Sequence, residues 1–280
     1  PADLTSGLEL KPKKRRKAGG QKIAVIGAGP AGLAASYNLA LKGYKVIVYD
    51  EQPLAGGMAL VGIPRYRLPR DILSREADII KKIGVEFKLN TKIGRDITLE
   101  QLSSQGFKAI FIATGAHLGR EFEIENWKED YEGLVDGVAF LRDVNLGKSV
   151  EPKDRVIIVG GGNVAIDCAR TCLRLGFKDV IIVYRRSRVE MPGRKEEIEE
   201  AEREGARIHF LAVPVKVLTK GGKVSGAECI RMELGEPDAS GRRRPVPMKG
   251  SEFVLPTDMI ISAIGEKPEL SFLTGGKPIN

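Results

Sequence analysis

Lys22-Ile23-Ala24-Val25-Ile26 is a short, largely β-branched apolar run that stops at glycine, the pattern of a buried strand. Apolar positions over about 30–42 then recur with a helical period, and Lys45-Val46-Ile47-Val48-Tyr49 is a second apolar run. Strand, helix and strand in this order predict a βαβ unit. The pattern returns later: Arg155-Val156-Ile157-Ile158-Val159 stops at glycine, a helical pattern runs to about Leu175, and Val180-Ile181-Ile182-Val183-Tyr184 follows. The two glycine stops, Gly27 and Gly160, are 133 residues apart. Between the units lie strand-like runs at Val85–Lys88 and Ala109–Ile112. After the second come a charged helix near 195–204, strands over 207–218 and 223–232, and a last apolar run, Met259–Ile264. Gly221-Gly222 predicts a hairpin turn between the latter two strands. Repeated βαβ units predict an α/β fold of parallel sheets with helices on both faces.

Each unit opens on a glycine loop. Gly27-Ala28-Gly29-Pro30-Ala31-Gly32 matches G-x-G-x-x-G, with a strand before it and a helix after. In such a loop the first glycine permits the tight turn, the second lets main chain approach a pyrophosphate, and the third allows helix and strand to pack closely. The helix start offers N–H groups and a positive dipole end to the phosphates. The next strand ends at Asp50, a carboxylate suited to ribose hydroxyls. The second loop, Gly160-Gly161-Gly162-Asn163-Val164-Ala165, is the G-x-G-x-x-A variant, and its second strand ends in Tyr184-Arg185-Arg186. Two guanidinium groups there suit a 2′-phosphate, bound by charge-assisted hydrogen bonds. One acid-ended and one arginine-ended site imply two different dinucleotides, FAD and NADPH, with hydride transfer between them.

Ala113-Thr114-Gly115 and Ile261-Ser262-Ala263-Ile264-Gly265, with Pro268, are strand-then-glycine exits on either side of the second unit. They predict two Rossmann-like dinucleotide-binding domains, the NADPH domain inserted in the FAD domain. The expected bounds are a basic linker over 1–20, the FAD domain over 21–118, the NADPH domain over 119–261, and a return to the FAD domain over 262–280.

Composition adds limits. With 42% apolar and 29% charged residues, the 280-residue chain is neither disordered nor a disulfide-stapled miniprotein, and it is long enough for about two domains. Glycine is in excess, 33 residues, as many tight turns and close main-chain approaches require. The net charge of +8 comes largely from residues 11–17, Lys-Pro-Lys-Lys-Arg-Arg-Lys. That run reads as a solvated linker rather than a nucleic-acid arm or nuclear address, and the rest of the chain is close to neutral. A second basic cluster, Arg242-Arg243-Arg244, lies in a Gly/Pro-rich stretch. No apolar run approaches the roughly 18–20 residues of a membrane span. Three cysteines, Cys168, Cys172 and Cys229, and no secretory leader point to a reducing compartment, the cytoplasm.

The two loops, the two exits, and Gly56-Gly57-Met58 leading to Gly62-Ile63-Pro64-Arg65-Tyr66-Arg67-Leu68-Pro69 resemble the glutamate synthase small-subunit family. These are FAD- and NADPH-dependent oxidoreductases, related to the electron-entry domains of dihydropyrimidine dehydrogenase. The resemblance covers about residues 20–274, and the Gly-Ile-Pro…Arg-Leu-Pro block distinguishes the chain from thioredoxin and glutathione reductase relatives. It implies that Gly27, Ala28, Gly29, Pro30, Ala31, Gly32, Asp50, Gly57, Met58, Arg67 and Ile93 line an FAD site. It implies that Gly161, Gly162, Asn163, Val164, Arg185 and Arg186 hold NADPH. The implied partner is an electron-accepting subunit or domain with iron–sulfur clusters. The family carries a cysteine-rich N-terminal segment for such clusters and a C-terminal Gly-Asp segment that closes the flavin site. Here no cysteine precedes Cys168 and the chain stops at Asn280, so it reads as an excised piece, expected to hold FAD weakly or not at all by itself.

Other chemistries fit less well. A disulfide reductase needs C-x-x-C, whereas Cys168 and Cys172 stand one helical turn apart and read as packing residues. Three Cys with His117 and His209 show no metal-ligand spacing. His117 reads as a hinge or surface residue. Hydride transfer is carried by the cofactors, so no catalytic acid or base is assigned. The alternative reading is a dinucleotide-binding module or sensor without turnover.

Overall fold

The structure, a computed structural model, describes residues 20–128 and 130–273. The basic linker expected over 1–20 lies outside them except for Gly20. The chain forms two compact units: the first ends at His117 and resumes at Pro268, and the second runs Leu118–Lys267.

In the first unit, β1 (Lys22–Ile26), β2 (Lys45–Tyr49), β3 (Glu86–Lys88) and β4 (Phe107–Ile112) form a parallel sheet in the order β3-β2-β1-β4. Its helices are α1 (Pro30–Leu41), α2 (Met58–Val61), α3 (Arg70–Lys82) and α4 (Leu99–Ser104). Val25, Val46 and Val48 pack with Leu33, Ala40 and Ile80, while the alternate residues Ala24, Ile26, Ile47 and Tyr49 pack with Ile93, Leu102 and Phe107. Burial on both faces is why the strands read as unbroken apolar runs rather than alternating ones. Pro30 opens α1 at a position where its missing N–H has no helical partner to lose.

The second unit has β5 (Leu118–Gly119), β6 (Leu134–Asp136), α5 (Gly137–Asn145), β7 (Arg155–Val159), α6 (Asn163–Leu175), β8 (Asp179–Tyr184), α7 (Lys195–Glu204) and β9 (Arg207–Phe210). There follow β10 (Ala212–Lys220), β11 (Lys223–Pro237), β12 (Arg243–Pro247), β13 (Phe253–Pro256), β14 (Met259–Ser262) and β15 (Glu266–Lys267). The parallel order is β6-β14-β7-β8-β9. Ile158 and Ile182 face a core with Cys168, Ala169 and Ile198 of the helices. Ile157, Val159 and Val183 on the other face pack against Val217, Ala227 and Cys229 of an antiparallel layer. Strands, not helices, therefore cover that face, in contrast to the expectation. The apolar side of the β10–β11 hairpin serves there, and Gly221 and Gly222 turn it at φ 59° and 75°.

Two boundaries differ from expectation. The run 207–218 is two strands: Leu211, at φ 53°, breaks it, and its N–H donates to the Arg186 carbonyl at 3.2 Å. The return from the second unit comes at Lys267/Pro268 rather than at 262, because β15 pairs antiparallel with β5.

Candidate functional site

The first loop is built from close main-chain contacts. Gly27 has φ 103°, and a Cβ there would lie 2.3 Å from the Ala113 carbonyl oxygen. Ala113 N–H in turn donates to the Ile26 carbonyl at 2.7 Å, so the strand-then-glycine exit is docked on the loop. A Cβ on Gly32 would lie 1.8 Å from the Gly27 carbonyl oxygen, which is how α1 comes so close to β1. Pro30 and Ala31 are exposed at the helix start. Asp50 is buried. Its Oδ2 accepts from Ala28 N–H at 2.6 Å and its Oδ1 from Gln52 N–H at 2.8 Å. Burial raises its carboxyl pKa, against the pull of these two hydrogen bonds. Asp50 thus holds the loop itself, and its remaining lone pairs are what a ribose could use.

The Gly56–Arg67 segment lies against the same loop. Gly56 N–H donates to the Ala28 carbonyl at 2.9 Å. Gly57 caps α2 and half-buried Met58 begins it. Arg67 is half-buried, with its N–H on the Pro64 carbonyl at 3.0 Å. Arg70, which sequence reasoning missed, ties the segment together by donating to the carbonyls of Ile63 at 2.9 Å and Ala59 at 3.3 Å. Burial first, then the charge of Arg65, lowers its pKa. The Ile93 side chain sits in the core cluster, which leaves its main chain as the part able to meet a cofactor. His117 Nε2 lies 3.4 Å from Glu51 Oε1, and Glu51 also pairs with Lys92 at 3.4 Å.

The second loop repeats the first. Gly160 has φ 142°, a Cβ there would lie 2.2 Å from the Ala263 carbonyl oxygen, and Ala263 N–H donates to the Val159 carbonyl at 2.8 Å. Gly161 lies under the Tyr184 ring, where a Cβ would come within 2.6 Å. Around Gly162 the space is open. Val164 packs against the core. Asn163 Oδ1 accepts from Arg194 N–H at 3.1 Å, and Gly193 N–H donates to the Gly161 carbonyl at 3.0 Å. Met191–Arg194 therefore lies across the start of α6, a contact signalled in the sequence only by Met191-Pro192-Gly193. The two arginines part company. Arg185 is exposed, whereas Arg186 is buried and paired with Asp238. Near the exit, burial first and Asp136 second raise the Glu266 carboxyl pKa, another group the sequence reading passed over.

These residues fit dinucleotides. No side chain caps α1 or α6, so their first-turn N–H groups stay available to a phosphate. The cradle at Gly29 and Gly162 is one that side chains would fill. All three cysteines are free and buried, and desolvation pushes their thiols up, Cys229 to about 12. Among the described residues no group of three or more His, Cys, Asp or Glu could hold a metal ion, and no helix is long and apolar enough to cross a membrane.

Two glycine-loop Rossmann units in one chain define a two-dinucleotide α/β protein. The chain belongs to the pyridine nucleotide-disulphide oxidoreductase family, which it matches over residues 21–279. It is 51% identical over 257 residues to the NADP(+)-dependent formate dehydrogenase subunit beta of Moorella thermoacetica, covering 91% of this chain and 36% of that protein. It is 47% identical over 270 residues to the NADPH-Fe(3+) oxidoreductase subunit beta of Geobacter sulfurreducens, covering 95% and 39%. It is 40% identical over 262 residues to the glutamate synthase [NADPH] small chain of Escherichia coli, covering 89% and 55%, so the resemblance read from the motifs holds. The chain thus spans well under two thirds of each relative's length. Among solved structures it is similar to FprA of Mycobacterium tuberculosis in complex with NADPH (TM-score 0.74, 20% identity, 90% of this chain and 71% of that one). It is also similar to the thioredoxin reductase of T. acidophilum (TM-score 0.67, 19% identity, 91% and 80%). At these identities the likeness is one of fold.

Proposed function

We propose that this chain is the FAD- and NADPH-binding part of an oxidoreductase that passes electrons to iron–sulfur centres on a partner subunit or domain. The observation that carries the reading is the contrast between strand ends: buried Asp50 beside the first loop, Arg185 and Arg186 beyond the second. A carboxylate suits ribose hydroxyls and arginines suit a 2′-phosphate. Gly27, Ala28, Gly29, Pro30, Ala31, Gly32, Asp50, Gly57, Met58, Arg67 and Ile93 would hold FAD, and Gly161, Gly162, Asn163, Val164 and the exposed Arg185 would hold NADPH, with Arg186, buried against Asp238, supporting the main chain from which Arg185 reaches out. FAD held by these residues would supply the redox chemistry that links a two-electron hydride donor to one-electron acceptors. The chain's own work is binding: N–H groups at the starts of α1 and α6 take phosphates, Asp50 orients a ribose, and Gly57, without a side chain, lets its segment pack directly on the first loop at Gly29. The buried, protonated thiols take no part.

The relatives' names include NADP(+) or NADPH, and two of the three are beta subunits, which supports both the coenzyme and a partner subunit. They are dehydrogenase, oxidoreductase and synthase chains, which favours turnover over a binding module without it. Three free cysteines agree with a cytoplasmic setting. The test is anaerobic titration of the full-length protein while its visible spectrum is followed. NADPH should bleach a flavin spectrum far more readily than NADH. A colourless protein that still binds NADPH, or equal bleaching by both coenzymes, would overturn the reading.

A further inference from the structure

The bend that follows β8 is braced by a hairpin far along the chain. Arg186 is only 5% exposed. Its Nε donates to the Arg243 carbonyl at 2.7 Å, and its Nη2 donates to Asp238 Oδ2 at 2.8 Å across 52 residues of sequence. Its own carbonyl accepts from Leu211 N–H at 3.2 Å. Asp238 is held as firmly, because its Oδ1 accepts from Ser240 N–H at 2.9 Å and from Ser240 Oγ at 2.5 Å. The hairpin also reaches the far side of the bend. Glu190 Oε2 accepts from Ser187 N–H at 3.1 Å and Oγ at 2.6 Å, with the Arg243 charge acting on the same carboxylate. A guanidinium buried this deeply needs a counter-charge, and Asp238 is the one in contact. Arg185, one residue before Arg186, is exposed and starts from this fixed main chain.

We propose that Asp238 is a positioning residue for coenzyme choice: through Arg186 it fixes the 185–190 bend on which the 2′-phosphate of NADPH is read. This rests on the assignment of the second loop to NADPH. A hairpin that served only to shield the sheet would need no carboxylate aimed at the end of β8. An arginine pair that relied on solvated, mobile side chains would lose much of its contact to side-chain entropy.

The test compares 2′,5′-adenosine diphosphate with 5′-adenosine monophosphate, which differ only in the 2′-phosphate, by calorimetric binding to the full-length protein. Asp238→Ala should cut the preference for the 2′-phosphorylated probe by roughly tenfold and leave the monophosphate unchanged. Asp238→Asn, which keeps an oxygen for Arg186, should restore part of that preference, and it decides the matter alone if the alanine variant fails to fold. An unchanged preference in a folded variant, or equal loss of both probes, overturns the positioning role. Arg185→Ala separates the two levels. If it abolishes the preference while Asp238 variants do not, only the role of Asp238 is lost. If it leaves the preference intact, the NADPH assignment falls and this proposal with it.

Discussion

Gly57 crosses Gly29 so closely that a Cβ on Gly57 would stand 2.5 Å from the Gly29 Cα. Gly57 also has φ 52°, a conformation costly for any side chain. The segment Gly56–Met58 is thereby locked onto the first glycine loop. Gly57→Ala should therefore destabilise the fold by about 1–3 kcal/mol and release flavin. Gly106→Ala, at φ 81° but with open space around it, carries the backbone strain without the clash. Thermal melting and flavin retained on gel filtration separate the two. Equal behaviour of both variants would show that the Gly29 contact is unimportant.

Arg185 and Arg186 should not behave alike. Arg186→Ala removes the hydrogen bonds to the Arg243 carbonyl and Asp238 and opens a hole where the buried guanidinium was, so it should lower stability by about 1–3 kcal/mol. Arg185→Ala removes an exposed side chain, and its loss should fall on NADPH affinity, about tenfold, with the melting temperature held. Urea midpoints and coenzyme titration on both variants check this. Arg186→Ala melting like the unchanged protein would show that the buried pair contributes little.

Cys168 and Cys172 lie on α6 behind the second loop, fully enclosed. Desolvation, largest in each case, pushes both thiols well above their ordinary range, so neither is a thiolate at neutral pH. All three cysteines should resist a thiol reagent in the native protein and react once it is denatured. Cys168→Ser retains a donor for the Gly137 carbonyl, which the thiol now approaches at 3.5 Å. The double Cys168→Ser, Cys172→Ser protein should still be reduced by NADPH. Loss of that reduction in a folded variant would implicate the thiols after all.

Acid stability should depend on the glutamates of α7. Arg170, with its side chain 6% exposed, pairs with Glu197, Glu200 and Glu204, and Arg174 joins it at Glu204. The Arg174 hydrogen bond, followed by that of Arg170, takes the Glu204 carboxyl from 4.5 to about 2 against a desolvation cost. A folded pKa below the unfolded one stabilises the protein above about pH 4.5 and loses that stabilisation as pH falls toward 2. Glu204→Gln should flatten the fall in urea midpoint across this window. A slope unchanged by the substitution would place the acid sensitivity elsewhere.

The sequence by itself determined the parallel sheets and the positions of both glycine loops. Those signals are local: apolar runs such as 22–26 and 155–159 are buried on both faces, and Gly27, Gly32 and Gly160 stand where a Cβ would strike main chain a few residues away or at the exit strand. The turn at Gly221-Gly222 was legible for the same reason, since both residues must take φ above zero. Tertiary structure alone decided which charges do what. Arg185 and Arg186 are adjacent and chemically identical, yet one is solvated and the other is buried against Asp238, 52 residues away. Nothing within the run distinguishes them, because burial and ion pairing are set by which distant segment folds over the site. Asp50 was legible as a carboxylate at a strand end, but its bond to Ala28 N–H depends on the loop folding back to within 2.6 Å. The antiparallel layer over the second sheet was hidden similarly: the apolar positions of β10 and β11 mark a buried face without saying what it covers, and Leu211 breaks its strand by conformation rather than by residue type.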